Sequence, residues 1–136
     1  MALYYTDASA LVKLVRDEPQ SDALRSFLAD SDLVSCALAL TETPRAIRYA
    51  ATHDPELPLQ TLIERTTELL EAVALLPLDR RLLTDAGKLG EPLLRSLDAI
   101  HVTAAAKIKD LDGFVSYDER QSAAARLVGL RTIGPS

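Results

Sequence analysis

Four acidic side chains stand where the neighbouring sequence predicts small or apolar residues. Asp7 and Asp118 each end a short hydrophobic stretch, Glu42 follows one, and Asp98 interrupts one. A carboxylate at the edge of a core is unfavourable unless a partner neutralises it. One divalent cation shared by all four is the simplest partner, and carboxylate oxygens suit Mg²⁺ or Mn²⁺. Such a cation can activate water and stabilise charge on a phosphoryl oxygen, so the pattern predicts phosphodiester hydrolysis.

Each acid also has a purely structural explanation, which the sequence leaves open. Asp7 and Asp118 would both serve as helix N-caps. Asp98 would lie in the first turn of a helix capped by Ser96, where its negative charge interacts favourably with the helix dipole. Glu42 would serve as a first-turn acid in a capping arrangement. The metal-site hypothesis depends on all four lying at the same edge of one sheet.

Other side chains near the acids have smaller predicted roles. Ser9 and Ser116 each lie two residues from an acid and would hold its carboxylate or touch a bound water. His101 lies one turn after Asp98, where ordinary packing is favoured over a metal role. Cys36 is the only cysteine, so it is predicted to be a buried apolar residue in a reducing compartment. No Cys/His cluster suggests zinc.

The elements that must position these acids alternate along the chain. Short apolar strands are predicted over 3–6, 33–36, 73–78, 114–117 and 130–133. Helices are predicted over 8–16, 20–30, 39–53, 59–72, 79–89, 96–109 and 118–127. Pro44 is expected to distort the start of the third helix. Such alternation is typical of a parallel sheet covered on both faces, which collects ligands at the carboxyl ends of its strands.

The bulk composition limits the class of protein. The 136 residues predict a single domain over 1–136, and the 48% hydrophobic content supplies a sizeable core. The net charge of −5 counts weakly against a nucleic-acid substrate, because a bound cation would offset clustered acids. No leader segment and no long apolar run is visible, so a cytoplasmic location is expected.

Four segments resemble the PIN-domain ribonucleases, in particular the VapC toxins of bacterial toxin–antitoxin pairs. They are YTDASALVK at 5–13, ALTE at 39–42, LDAIH at 97–101 and FVSYDER at 114–120. The resemblance covers nearly the whole chain. It implies an α/β PIN-like fold in which about seven helices flank a five-stranded parallel sheet of order 3-2-1-4-5. Ser116 stands where the family usually has Thr, and Pro44 is unusual for its helix.

The resemblance also implies a function. It makes the chain an endoribonuclease toxin dependent on Mg²⁺ or Mn²⁺ that inhibits translation and growth and leaves a 5′-phosphate and a 3′-hydroxyl. A substrate of the tRNA or rRNA class, a VapB-type antitoxin as partner, a homodimer and a toxin–antitoxin hetero-oligomer are implied as well. The catalytic and metal-binding residues by matching motifs are Asp7, Glu42, Asp98 and Asp118, with Ser9 and Ser116 in support.

RNA must be held by cations, and three basic residues lie near the acids in sequence. Lys13, Arg45 and Arg120 are candidate phosphate contacts, although each is equally well explained as a solvated surface charge. The alternative to a nuclease is a non-catalytic or receiver-like α/β module that binds a metal. A receiver-like module would need a lysine at a strand end, whereas Lys107 and Lys109 fall in a predicted helix.

Overall fold

The computed structural model describes residues 1–136 and contains one sheet of five parallel strands. The strands are β1 (Leu3–Thr6), β2 (Asp32–Cys36), β3 (Ala74–Leu76), β4 (Gly113–Val115) and β5 (Thr132–Ile133). Their order is β3-β2-β1-β4-β5, and each neighbouring pair is parallel. The predicted strand order 3-2-1-4-5 is therefore confirmed.

Seven helices connect and cover the strands, which confirms the predicted number. They are α1 (Ala8–Val15), α2 (Ser21–Leu28), α3 (Ala39–His53), α4 (Leu59–Ala72), α5 (Arg80–Ala86), α6 (Ser96–Ala106) and α7 (Glu119–Leu127). The bounds of α3 and α4 are those predicted from sequence. The helix predicted over 96–109 ends earlier, because a turn follows in which Asp110 has a positive φ of 63°. None of the helices combines the length and apolar character needed to cross a membrane.

Three of the predicted strands are shorter than expected, including the strand predicted over 130–133, which spans only Thr132–Ile133. The strand predicted over 73–78 spans only Ala74–Leu76, and Pro77 directly after it has no N–H for the ladder. The strand predicted over 114–117 ends at Val115. Ser116 still donates its N–H to the Ile133 carbonyl at 3.2 Å, after which the chain turns into α7.

The core lies on both faces of the sheet. Successive strand residues point to opposite faces, so Tyr5 packs with Phe114 and Val102 on one side, and Tyr4 packs with Leu24 on the other. The side chains of Tyr5 and Phe114 are fully buried and stack with ring centroids 5.4 Å apart. The sheet is thus enclosed as a parallel sheet requires, and the carboxyl ends of β1 and β4 are fixed by packing.

Helix α3 begins with a tight turn and is not interrupted at Pro44, where a distortion was predicted. The N–H groups of Leu40 and Thr41 donate to carbonyls three residues back, at 3.1 and 3.0 Å. The helix then continues without a break through Pro44. Glu42 is therefore presented by a continuous helix.

Candidate active site

The four acids predicted from sequence line one small open pocket of about 110 Å³. Asp7 directly follows β1, and Asp118 lies beyond the end of β4, just before α7. Asp98 lies in the first turn of α6, and Glu42 lies near the start of α3. Four separate elements thus bring carboxylates to the same edge of the sheet. Four other residues share the pocket lining, namely Ala8, Ser9, His101 and Gln121.

Asp7 is held by three hydrogen bonds. It is 2% exposed and accepts from the Ser9 hydroxyl at 2.7 Å, the Ser116 hydroxyl at 2.5 Å and the Ala10 N–H at 3.0 Å. The bond from Ala10 makes it the N-cap of α1, so the structural explanation also holds for this residue. Burial raises the pKa of Asp7 although all three hydrogen bonds oppose that change. A nearby positive charge would therefore stabilise the ionised form of this carboxylate.

Two serine hydroxyls join the β1–α1 junction to the β4–α7 junction. Besides donating to Asp7, Ser9 Oγ accepts from the Tyr117 N–H at 3.0 Å. Ser116 Oγ likewise donates to Asp7 and accepts from the Asp118 N–H at 3.0 Å. The same hydroxyl thus fixes the side chain of one acid and the backbone of another.

Asp118 and Asp98 are linked through Gln121, a residue that the sequence analysis missed. The Asp118 carboxylate caps α7 by accepting from the Gln121 N–H at 3.1 Å. The Gln121 amide, 3% exposed, donates from Nε2 to Asp98 Oδ1 at 2.8 Å. Its Oε1 is buried without a hydrogen-bond partner. A Gln three residues after an N-cap Asp resembles a capping box, and this spacing was the available signal.

The environment of Asp98 is partly as predicted. It lies in the first helical turn, but Arg95 occupies the N-cap position of α6 and no side chain caps that helix. The predicted Ser96 cap is therefore wrong. Burial raises the pKa of Asp98, and repulsion from the neighbouring Asp118 adds to the effect. Like charges packed in this way favour a cation between them.

Glu42 is paired with His101. Its Oε1 lies 2.6 Å from His101 Nε2, and the imidazole is 1% exposed. The other ring nitrogen, Nδ1, lies 2.7 Å from the Tyr5 hydroxyl and 3.7 Å from Cys36 Sγ. Burial alone would lower the pKa of His101, but the contacts with Cys36 and Glu42 outweigh it and raise that pKa to about 10. His101 is therefore buried, as ordinary packing requires, and it also contacts a site acid.

The donor set fits a hydrated Mg²⁺ or Mn²⁺ better than a tightly caged ion. The residues of the pocket offer carboxylate oxygens from four elements, which is the chemistry that hard cations take. No three His, Cys, Asp or Glu side chains are arranged as a ready-made ligand cage. Mg²⁺ usually keeps several waters and is bound through one or two carboxylates. The pocket therefore suits an ion that the acids contact partly through water.

The three basic candidates differ in how free their charges are. Lys13 has a side chain only 12% exposed, donates to Gln20 at 2.9 Å and lies 4.8 Å from the centroid of the Tyr117 ring. Arg45, on the helix that carries Glu42, is exposed. Arg120, next but one to Asp118, is exposed and lines a separate apolar pocket of about 340 Å³. None of the three lines the acidic pocket.

Comparisons with known proteins agree with this geometry. The PIN domain family model matches residues 4–127. Ribonuclease VapC47 of Mycobacterium tuberculosis (strain CDC 1551 / Oshkosh) is 39% identical, over 98% of this chain and 97% of its own. Ribonuclease VapC46 of Mycobacterium tuberculosis (strain ATCC 25618 / H37Rv) is 38% identical over 100% of both chains.

Solved structures share the fold at low identity. The crystal structure of Mycobacterium tuberculosis VapC20, a sarcin–ricin loop cleaving toxin, superposes with a TM-score of 0.73 at 16% identity, covering 97% of this chain and 99% of that one. The toxin–antitoxin complex VapBC2 of Rickettsia felis, bound to a DNA fragment from its promoter, gives a TM-score of 0.69 at 10% identity, covering 98% and 99%. With full-length relatives and the same fold, this chain belongs to the PIN-domain family as a VapC-type ribonuclease.

Proposed function

We propose that this protein is an endoribonuclease toxin that hydrolyses RNA phosphodiester bonds with the help of Mg²⁺ or Mn²⁺. The observation that carries the proposal is the convergence of Asp7, Glu42, Asp98 and Asp118 on one pocket. Each carboxylate has an oxygen bound by a group of the protein itself, so its position is set before any substrate arrives. Fixed charges of this kind are what electrostatic catalysis needs.

The four acids differ in burial and hydrogen bonding, and we expect their roles in metal binding to differ accordingly. Asp7, buried and held on three sides, would bind the ion most rigidly, together with Asp98. Asp118 and Glu42, which like Asp98 are less buried than Asp7, would bind the ion through water or orient the attacking water. When bound, the cation supplies Lewis-acid activation of water and stabilises charge on the phosphate. No histidine or lysine is then needed as the general base.

The substrate and partners follow from the family. We propose that the RNA is of the tRNA or rRNA class, so that cleavage inhibits translation and growth in the cytoplasm. A VapB-type antitoxin would neutralise the activity, and the toxin would act as one PIN domain over 1–136 within a homodimer and a toxin–antitoxin hetero-oligomer. The relatives named as VapC ribonucleases and the VapBC complex with the same fold support this proposal.

The receiver-like alternative has no support in the structure. None of the five strands ends in lysine. Lys107 follows α6 and pairs with Asp85 on the surface at 2.6 Å. A phosphoryl acceptor site would therefore lack its usual cation.

The test is cleavage of total cellular RNA by the purified chain with Mg²⁺ or Mn²⁺, with and without EDTA. We expect wild-type protein and an Asp30→Asn control, which alters an exposed acid outside the pocket, to cleave and to leave 5′-phosphates. EDTA and Asp98→Asn should each abolish cleavage. Cleavage that survives both treatments would refute the metal-dependent mechanism. Co-expression with a cognate VapB-type antitoxin should relieve the growth inhibition.

A further inference from the structure

We propose that His101 is a positioning residue that holds the Glu42 carboxylate in the orientation needed for metal binding, and that Tyr5 in turn fixes the His101 ring. The inference rests on the proposed function, because it concerns the same acidic pocket. It is carried by the geometry around the imidazole.

Glu42 differs from the other three acids in what holds it. Asp7 and Asp118 are N-caps fixed by backbone N–H groups, and Asp98 accepts from the amide of Gln121. The Glu42 side chain has a single hydrogen bond, to His101 Nε2 at 2.6 Å. Glutamate also has one more rotatable bond than aspartate. Without His101, this carboxylate would have no partner in the protein to set its direction.

The imidazole is itself immobilised. Its Nδ1 lies 2.7 Å from the hydroxyl of Tyr5, which is fully buried and stacked on Phe114 in the core. Both ring nitrogens are therefore engaged, one by the core and one by the site. Because a carboxylate only accepts, Nε2 donates to Glu42, while Nδ1 pairs with the Tyr5 hydroxyl. The chain Tyr5–His101–Glu42 connects the centre of the sheet to an acid on a helix.

Groups that orient metal ligands have measurable effects on the metal. Partners that hold ligating side chains typically contribute about 10–100-fold to metal affinity or activity. Ordinary core packing of His101 would instead affect only the free energy of unfolding. A substitution that keeps the packing of His101 but removes its hydrogen bond to Glu42 distinguishes the positioning role from ordinary core packing.

Two amide substitutions discriminate between the ring nitrogens. His101→Gln places a donor near Nε2 and retains the bond to Glu42, whereas His101→Asn reaches only the Nδ1 position, beside Tyr5. We expect His101→Asn to weaken Mn²⁺ binding, measured by calorimetry, by about 10–100-fold. His101→Gln should stay within about threefold of wild type. Excess Mn²⁺ should restore much of the cleavage by His101→Asn, with the KM for RNA unchanged.

A measurement on the wild-type chain avoids any loss of folding in the variants. The protein has two histidines, and His53 is exposed near the end of α3 and does not line the pocket. During a Mg²⁺ titration followed by NMR, we expect the His101 imidazole signals to shift with the occupancy of the site while those of His53 stay fixed. Glu42→Gln should abolish the shift.

The outcomes distinguish this inference from the function itself. If wild type binds Mn²⁺ and Glu42→Ala weakens it, but both His101 variants bind equally well and the NMR signals stay fixed, His101 only packs and the inference is wrong. If wild type neither binds Mn²⁺ nor cleaves RNA, the proposed function itself is wrong, whatever the His101 variants do.

Discussion

The hydroxyl of Ser116 donates to the carboxylate of Asp7 across 2.5 Å, although the two residues lie 109 positions apart in the chain. The same hydroxyl accepts from the N–H of Asp118 at 3.0 Å. One small side chain thus sets the spacing of two acids that come from different strands.

Removing that hydroxyl should affect both stability and activity. We expect Ser116→Ala to lower the free energy of unfolding by about 1–2 kcal/mol, because it removes two hydrogen bonds from a buried site. RNA cleavage should fall more than the stability loss explains. Ser116→Thr keeps the hydroxyl and is the matched control, with near wild-type cleavage. Chemical denaturation and cleavage rates at saturating Mn²⁺ measure the two effects.

Gln121 should matter through Asp98. Gln121→Ala removes the only side-chain donor to that carboxylate, so we expect Mn²⁺ affinity to fall by about tenfold. Gln121→Glu places a negative charge beside Asp98, so it should also lower the free energy of unfolding of the metal-free protein. Calorimetric titration of Mn²⁺ into both variants is the measurement. Unchanged affinity in Gln121→Ala would show that the amide does not orient Asp98.

Neutralising Asp98 should stabilise the metal-free protein while it inactivates the enzyme. Burial and Asp118 disfavour the charged form of Asp98, so Asp98→Asn should raise the Tm of the apoprotein at neutral pH. The increase of Tm on adding Mn²⁺ should shrink or vanish in this variant, and cleavage should be lost. Thermal melts with EDTA and with Mn²⁺ separate the two changes. A lower apoprotein Tm would contradict the electrostatic explanation.

The contribution of Asp7 and Asp98 to folding stability should change with pH in the opposite direction to the stabilisation by Mn²⁺. The pKa values of Asp7 and Asp98 are raised in the folded state, so their protonated forms favour folding. That contribution is full below the unfolded pKa and is lost as the pH rises through the folded pKa. The stabilisation by Mn²⁺ should increase over the same range, because the ion needs ionised carboxylates. Melting curves from about pH 4 to about pH 8, with and without Mn²⁺, test both signs.

Arg45 and Lys13 should behave differently as RNA contacts. Arg45 is exposed and has no ion-pair partner, so Arg45→Gln should raise the KM for RNA and reduce the salt dependence of binding by about one unit of slope. Lys13 is held by Gln20 and Tyr117, so Lys13→Gln should lower stability more than it lowers RNA affinity. Binding measured at several salt concentrations, together with denaturation, distinguishes the two roles.

Periodicity and strand composition were sufficient for the helices and strands, whereas the strand order followed from the resemblance to the PIN-domain ribonucleases. The third and fourth helices have their predicted bounds, even though Pro44 lies inside one of them. The errors lie at ends, where local geometry decides, as in the strand shortened before Pro77 and the α6 helix that stops at Ala106.

The site was predictable in its acids and less so in the groups that hold them. Acids after strands have a sequence signature, and in the structure Asp7 and Asp118 are helix N-caps that also line the same pocket. The Gln121–Asp98 and His101–Glu42 contacts depend on how separate helices are placed in the fold, because these pairs lie 23 and 59 positions apart. No local pattern encodes a distance of that kind.

The sheet order also determines when during synthesis the pocket can exist. The central strand β1 leaves the ribosome first, but its second neighbour, β4, begins only at Gly113, and Asp118 follows it. A nascent chain therefore carries Asp7 for most of its synthesis without the serine and the acid that complete the pocket. The pocket therefore cannot assemble until synthesis has reached the start of the last helix.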